Sequence, residues 1–304
     1  MAIGFRQTLV RLLGKMPARS ALQPKILERI PLQGFVREKV SYQVESGQRV
    51  SAYLFLPEGE GRRPAVLCIH QHNREFHLGK SEPAGLSGNP EQYFALELAK
   101  RGYVTLAPDA ICFEERQHPS LRGADFERFE ATRRLAEGSC LQAKMVWDLQ
   151  RAVDYLGTRR EVDPRRLGCL GHSLGGQETL FLSAIDRRIA AGVSSCGFSS
   201  YRAIFEAALL HNFAAYVPGI LRYGGLERVL GLVAPRPFLV LAAAEDSLFP
   251  MPGVQETVKS ARRSYGSRGR DRLRLEVFPG GHGFPGPMRE AAYAWFERWL
   301  RSRR

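Results

Sequence analysis

A serine hydroxyl is a poor nucleophile at neutral pH unless its surroundings activate it. Gly171-His172-Ser173-Leu174-Gly175 has the composition of such surroundings. A short apolar run, 166–170, precedes it, and a helix-compatible segment, 177–185, follows. Strand, G-x-S-x-G and helix together make a tight turn that pushes the serine hydroxyl out to where a substrate can reach it. Residues two before and two after the serine come too close to each other for side chains, which accounts for Gly171 and Gly175. The following helix points its N-terminal amides at the place where an oxyanion would develop. Five such residues also arise by chance in long chains, so the setting carries the weight.

The hydroxyl needs a base, and the base needs an orienting carboxylate. His282 lies in Gly280-Gly281-His282-Gly283 after the apolar run 273–278, and its glycines leave the loop free to turn the imidazole toward Ser173. Glu245 and Asp246 follow the apolar run 238–243 and compete for the carboxylate role. An oxyanion hole takes two backbone N–H groups. Leu174 supplies one, and the turn His70-Gln71-His72-Asn73 after the run 64–70 supplies the other, from Gln71 or His72. His70-x-His72, with His77 nearby, also invites a metal reading. Arg74-Glu75 stands where the Asp-His of a hydrolytic H-x-H-x-D-H zinc site would follow, so no metal or other cofactor is expected. His118 and His172 read as structural or peripheral, and His211 as a candidate pocket residue.

These residues need a scaffold, and the hydropathy pattern outlines one. Residues 35–44 and 50–56 alternate around Glu45-Ser46-Gly47-Gln48, which predicts an antiparallel hairpin. Continuous apolar runs at 64–70, 103–107, 166–170, 189–196, 238–243 and 273–278 predict buried strands. Helical patterns separate most of them: 89–101, then Leu141, Met145, Leu149, Ala152 and Leu156 on one face, then 177–185, 253–264 and a terminal helix through Trp295 and Trp299. Strand–helix alternation implies a mostly parallel sheet covered on both faces. Residues 110–138 read as a long loop or a small helical excursion. Residues 197–233 read as an apolar, mainly helical insertion, either a lid or ordinary helices on the sheet. Phe205 and Phe213 within it are candidate pocket residues. Residues 1–34 read as a packed N-terminal arm, with a membrane-surface helix as the alternative, and 35–304 as one domain.

Composition narrows the class. At 304 residues with 44% hydrophobic content the chain can bury a full core. A net charge of +13 raises the question of nucleic acid, but the excess is largely arginine and scattered, without a basic stripe interleaved with aromatics. A solvated basic surface is the expectation, with no nucleic-acid partner. The five cysteines are an odd number; Cys68, Cys169 and Cys196 fall in apolar runs and no C-x-x-C occurs, which fits reduced thiols in a cytoplasm. The N-terminus shows no signal-peptide core, and no apolar run is long enough to span a bilayer.

From 35 to 300 the chain resembles the α/β-hydrolase superfamily, and within it the dienelactone-hydrolase and acetyl-xylan-esterase-like branch. The segments that carry this are 67–72, 98–109, 171–176, Ala234-Pro-Arg-Pro-Phe238, 246–250 and 281–283. The resemblance implies the α/β-hydrolase fold and a chain order of serine, acid, histidine, each on a loop after a strand. Ser173, Asp246 and His282 follow that order. Asp246-x-x-Phe-Pro resembles the family's acid loop, which favours Asp246 over Glu245. Many members carry His-Gly-x at the oxyanion turn; here Gln71 replaces the glycine, and the donor maps to His72. Dienelactone hydrolases proper carry a cysteine nucleophile, so the serine argues for ordinary ester cleavage. The reading is therefore a cofactor-free serine esterase acting on small-to-medium acyl esters, with a homo-oligomer left open. A peptidase or lactone hydrolase of the same fold, or a non-catalytic binding homologue, are the alternatives.

Overall fold

The computed structural model describes residues 2–301; Met1 and residues 302–304, at the ends of the two expected segments, lie outside it. Among the described residues nine strands form one sheet in the order β1-β2-β3-β5-β4-β6-β7-β8-β9. They are β1 (Lys25–Leu32), β2 (Phe35–Glu45), β3 (Gln48–Pro57), β4 (Arg63–Ile69), β5 (Val104–Pro108), β6 (Val162–His172), β7 (Ile189–Ser195), β8 (Phe238–Ala243) and β9 (Leu273–Phe278). The pairs β1–β2, β2–β3 and β3–β5 are antiparallel, and every pairing from β5 to β9 is parallel. All the parallel strands therefore end at the same pole.

The helices are α1 (Ala2–Leu13), α2 (Phe94–Lys100), α3 (Gly123–Ala136), α4 (Leu141–Thr158), α5 (Leu174–Ile185), α6 (Tyr201–Glu206), α7 (Leu226–Gly231), α8 (Met251–Tyr265) and α9 (Gly286–Phe296). β8 shows why the central strands read as unbroken apolar runs. Phe238, Val240 and Ala242 pack with residues of α1, α5, α7 and α8, whereas Leu239, Leu241 and Ala243 pack with α2 and α9. Successive side chains of a strand point to opposite faces, and here both faces are covered by helices.

Two segments differ from expectation. Residues 25–32 form the edge strand β1, paired through backbone hydrogen bonds from Lys25↔Ser41 to Leu32↔Phe35. Its side chains are nearly all exposed, Ile26 and Leu27 each by 52%, so no face is buried and no alternation marks it. Pro31 is tolerated there because an edge strand leaves half its backbone groups unpaired. The first helix of the arm buries Phe5, Leu9 and Leu13 against the body. The second difference is at 197–233, which is not one helical run. It breaks into α6, two 3-10 turns at Phe213–Ala215 and Ile220–Tyr223, and α7. Residues 110–138 hold a 3-10 turn and α3, whose Phe126 and Ala131 pack beside Leu174 and Met145. No helix among the described residues is long and apolar enough to cross a membrane.

Candidate active site

The turn at Ser173 is built by close backbone approach. A Cβ at Gly171 would run into the backbone of Gly175, and one at Gly175 into the carbonyls of Ile69 and His70. Those two absent side chains let α5 begin directly against the end of β4. Ser173 itself sits at φ 55°, ψ −119°, a region costly for any residue with a Cβ. The strain is held by Ser173 N–H donating to Ser195 O (2.9 Å) and by Gln177 N–H donating to Ser173 O (3.0 Å).

The other partners reach the serine by extension of the parallel ladder past the strand ends. Cys196 N–H bonds Leu241 O (2.9 Å), Ala244 N–H bonds Phe278 O (2.8 Å) and Glu245 N–H bonds Gly280 O (3.0 Å). The loops after β8 and β9 are thereby tied together just below the point where His282 and Asp246 project. His282 Nδ1 lies 2.9 Å from Asp246 Oδ2, and His282 Nε2 lies 2.9 Å from Ser173 Oγ. With the proton on Nδ1 facing the carboxylate, Nε2 is free to accept from the serine hydroxyl. Asp246 Oδ1 accepts from the N–H groups of Leu248 (2.8 Å) and Phe249 (3.1 Å). Burial alone would raise the Asp246 carboxyl; the hydrogen bond and charge of His282, with those two amides, hold it below the ordinary carboxylate value. Glu245 is exposed, and the carboxylate bonded to the imidazole is that of Asp246.

His172, inside the elbow, lies with its ring 4.9 Å from that of His282 and makes its hydrogen bond elsewhere. Its ring stacks on Phe284, and its Nδ1–H donates to Ser195 Oγ (3.0 Å), which in turn donates to Met288 Sδ (3.2 Å). Burial, with His282 close by, pushes it down to about 3, so it stays neutral. Cys196 lies beside Asp246 and His282, buried, with burial pushing its thiol up to about 12.

The turn after β4 is held by three side chains. His70 accepts from Ala110 N–H at Nε2 (3.1 Å) and donates from Nδ1 to Gln71 O (2.7 Å), joining the ends of β4 and β5. Gln71 donates to both oxygens of buried Glu82 (3.2 and 3.0 Å). His72 Nε2 lies 3.1 Å from Glu127 Oε1 on α3, and its Nδ1 accepts from Arg74 N–H (3.0 Å). The nitrogens of His70 and His72 are thus all engaged with protein groups. Glu82 and Glu127 were not singled out in the sequence, because neither sits in an apolar pattern or a motif. Their signal was only that a polar turn must be anchored to something. Beneath them Lys80, fully buried, donates to Asp109 (2.8 Å), Glu114 (2.6 Å) and Glu115 (2.8 Å). That trio of carboxylates has the spacing of a cation site, and the Lys80 ammonium already occupies it, with Lys39 (2.7 Å from Glu115) supplying a second positive charge.

The anchoring of Gln71 gives a test. Glu82→Leu removes the acceptor that fixes the turn, and a misplacement of about 1 Å at such a site costs about 10²-fold. We expect kcat to fall by about that factor with KM little changed; an unaltered kcat would mean the turn holds itself.

The pocket residues named from the sequence separate. His211 donates from Nε2 to Leu248 O (3.0 Å) and packs on Phe249, which lies 5.6 Å from the His282 ring. It therefore borders the acid loop. Phe213 opens the 3-10 turn whose Ala214 packs with Leu174 and accepts from Gln177. Phe205 instead stacks on Tyr201 and Tyr216 and lines a separate groove with Val217 and Ile220. The apolar groups packed around Leu174 come from elsewhere: Ile111, Phe113, Phe126 and Met145, with Phe76 against them.

The Dienelactone hydrolase family matches residues 50–302. The chain belongs to this family. The Bacillus subtilis (strain 168) protein YtaP, a hydrolase by name, is 30% identical over 300 residues, covering 97% of this chain and 98% of its own. Acetyl xylan esterase 1 from Thermoanaerobacterium sp. JW/SL YS485 superposes with a TM-score of 0.71 at 18% identity, covering 98% of this chain and 94% of that one. A glucuronoyl esterase from Solibacter usitatus does so with a TM-score of 0.71 at 16% identity, covering 96% and 91%. At these identities the superpositions establish the α/β-hydrolase fold and leave substrate open. This dienelactone hydrolase family member is a hydrolase with serine at the nucleophile position.

Proposed function

We propose that the chain is a serine esterase that cleaves carboxylic esters through an acyl-enzyme, with Ser173 as nucleophile, His282 as base and Asp246 as its orienting carboxylate. The observation that carries this is the unbroken hydrogen-bond line from Ser173 through His282 to Asp246, with the carboxylate held ionised. Ser173 Oγ gives its proton to His282 Nε2 as it attacks the ester carbonyl. The tetrahedral oxyanion is met by the N–H of Leu174 and by an N–H of the Gln71–His72 turn. His282 then protonates the departing alcohol, and water repeats both steps to free the acid. Buried, unpaired cysteines support a reducing cytoplasm as the site of action.

The apolar groups around Leu174, with the 3-10 turn that Phe213 opens packed on them through Ala214, suit a small-to-medium acyl chain. The test is hydrolysis of p-nitrophenyl esters from acetyl to decanoyl. Turnover should peak within the series and disappear in Ser173→Ala. Phe213→Ala should move the peak toward longer chains, whereas Phe205→Ala, in its separate groove, should leave it in place. A flat profile unaffected by Phe213→Ala would overturn the acyl-pocket assignment. A folded wild type that fails both to turn over esters and to react with a fluorophosphonate would instead favour a binding homologue.

A further inference from the structure

The parallel strands that bring the triad together at one pole also bring their starting segments together at the other. Those segments carry arginine: Arg165 and Arg166 at the start of β6, Arg187 and Arg188 before β7, Arg236 before β8, Arg272 before β9. They line one cleft of about 860 Å³, to which Arg301, paired with Glu297 (3.2 Å), is added from the C-terminal turn. Among the described residues the lining includes a single acid, Asp163, and this is engaged by Arg165 (3.4 Å) and Arg166 (2.9 Å). Arg188 pairs with Asp186 (2.5 Å) and Asp154 (2.6 Å) behind the cleft. Arg187, Arg236 and Arg272 have no carboxylate partner among the described residues. Arg236 is instead fixed by the carbonyls of Ser183, Asp186 and Ile189, and Arg272 by Pro235 O (3.1 Å).

We propose that this cleft binds a small, multiply phosphorylated ligand. Like charges gathered in a concavity repel one another unless an anion offsets them. A guanidinium held by backbone carbonyls keeps its remaining N–H donors in a fixed plane, where they can meet phosphate oxygens. A nucleic-acid strand is disfavoured on two counts. The charges converge in a cleft instead of extending along a stripe. Trp299, the aromatic of the lining, is engaged by the guanidinium groups of Arg272 (5.6 Å) and Arg298 (4.8 Å), so it braces cations where a base would need a face. The site is separate from the ester site. Residues 167–172 of β6 lie between the two poles, about 20 Å at the usual strand rise of about 3.3 Å per residue.

The experiment is titration calorimetry of the full chain with sodium tripolyphosphate at fixed ionic strength, with ester turnover followed in parallel. Saturable binding at one site is expected, with sulfate at least about 10-fold weaker. Arg187→Ala with Arg272→Ala should weaken tripolyphosphate by at least about 10-fold, the scale of one charge-assisted contact pair. Turnover should change neither with the variant nor with saturating tripolyphosphate. Arg187→Glu alone, at an exposed position, should give the same loss and stands in if the double variant is unstable. Absence of saturable binding, binding indifferent to these variants, or competitive inhibition of ester turnover would each overturn the proposal. So would tighter binding of duplex DNA than of tripolyphosphate, which would transfer the cleft to nucleic acid.

Discussion

Replacing Ser173 by alanine should lower kcat for a p-nitrophenyl ester by about 10⁵- to 10⁶-fold, the scale seen when an activated serine is lost from an intact site. The geometry makes the loss clean. Ser173 holds its strained φ through backbone bonds to Ser195 and Gln177, which alanine keeps, so the fold and the oxyanion donors should persist. Asp246→Asn should cost about 10⁴-fold, because an amide donating to Nδ1 forces the proton onto Nε2 and removes the acceptor that Ser173 uses. The two variants together should lose little more than Ser173→Ala alone, since both disable one relay. Steady-state turnover and fluorophosphonate labelling of the single and double variants check this. Additive losses would mean that Asp246 and Ser173 do not act through the same imidazole.

The second large effect concerns stability. Lys80 is fully buried and is the shared cation of Asp109, Glu114 and Glu115. Burial opposes the charges on both sides, raising the Asp109 carboxyl and working against the Lys80 ammonium; the surrounding carboxylates outweigh it and keep Lys80 protonated. Lys80→Met strands Asp109 without a counter-charge, and breaking a buried pair from one side costs about 3–5 kcal/mol. For a chain of this size that is a fall in Tm of about 5–8 °C, readable by thermal melting. Lys80→Met with Asp109→Leu should recover much of the loss, because replacing both partners by apolar groups is often near neutral. If the double variant melts no higher than the single, the cost lies in packing and not in the uncompensated charge. The same cluster joins the segment carrying Glu82 to the loop after β5, so kcat should drop with Lys80→Met even below its melting range.

Much of the sheet was legible because burial on both faces writes an unbroken apolar run. The strands at 238–243 and 273–278 coincide with β8 and β9. Strand β1 was not legible, since its pairing uses backbone atoms and its side chains face solvent. The short helices of 197–233 blurred for a related reason. Turns of three to six residues are shorter than the period needed to recognise them. Phe205 and Phe213 look alike in sequence, yet one stacks on Tyr201 and Tyr216 and the other sits on the turn beside Leu174.

Sequence by itself pointed to the proposed chemistry: the Gly-x-Ser-x-Gly turn, the acid and the histidine are local patterns, each placed directly after an apolar strand. Tertiary structure alone decided what neighbours those patterns. Glu82 lies 11 residues from Gln71, Glu127 lies 55 from His72, and the clustered arginines sit at or just before the starts of four different strands. They meet because parallel strands share their ends, and a side chain's partner across a sheet or loop leaves no periodic trace in the chain that carries it.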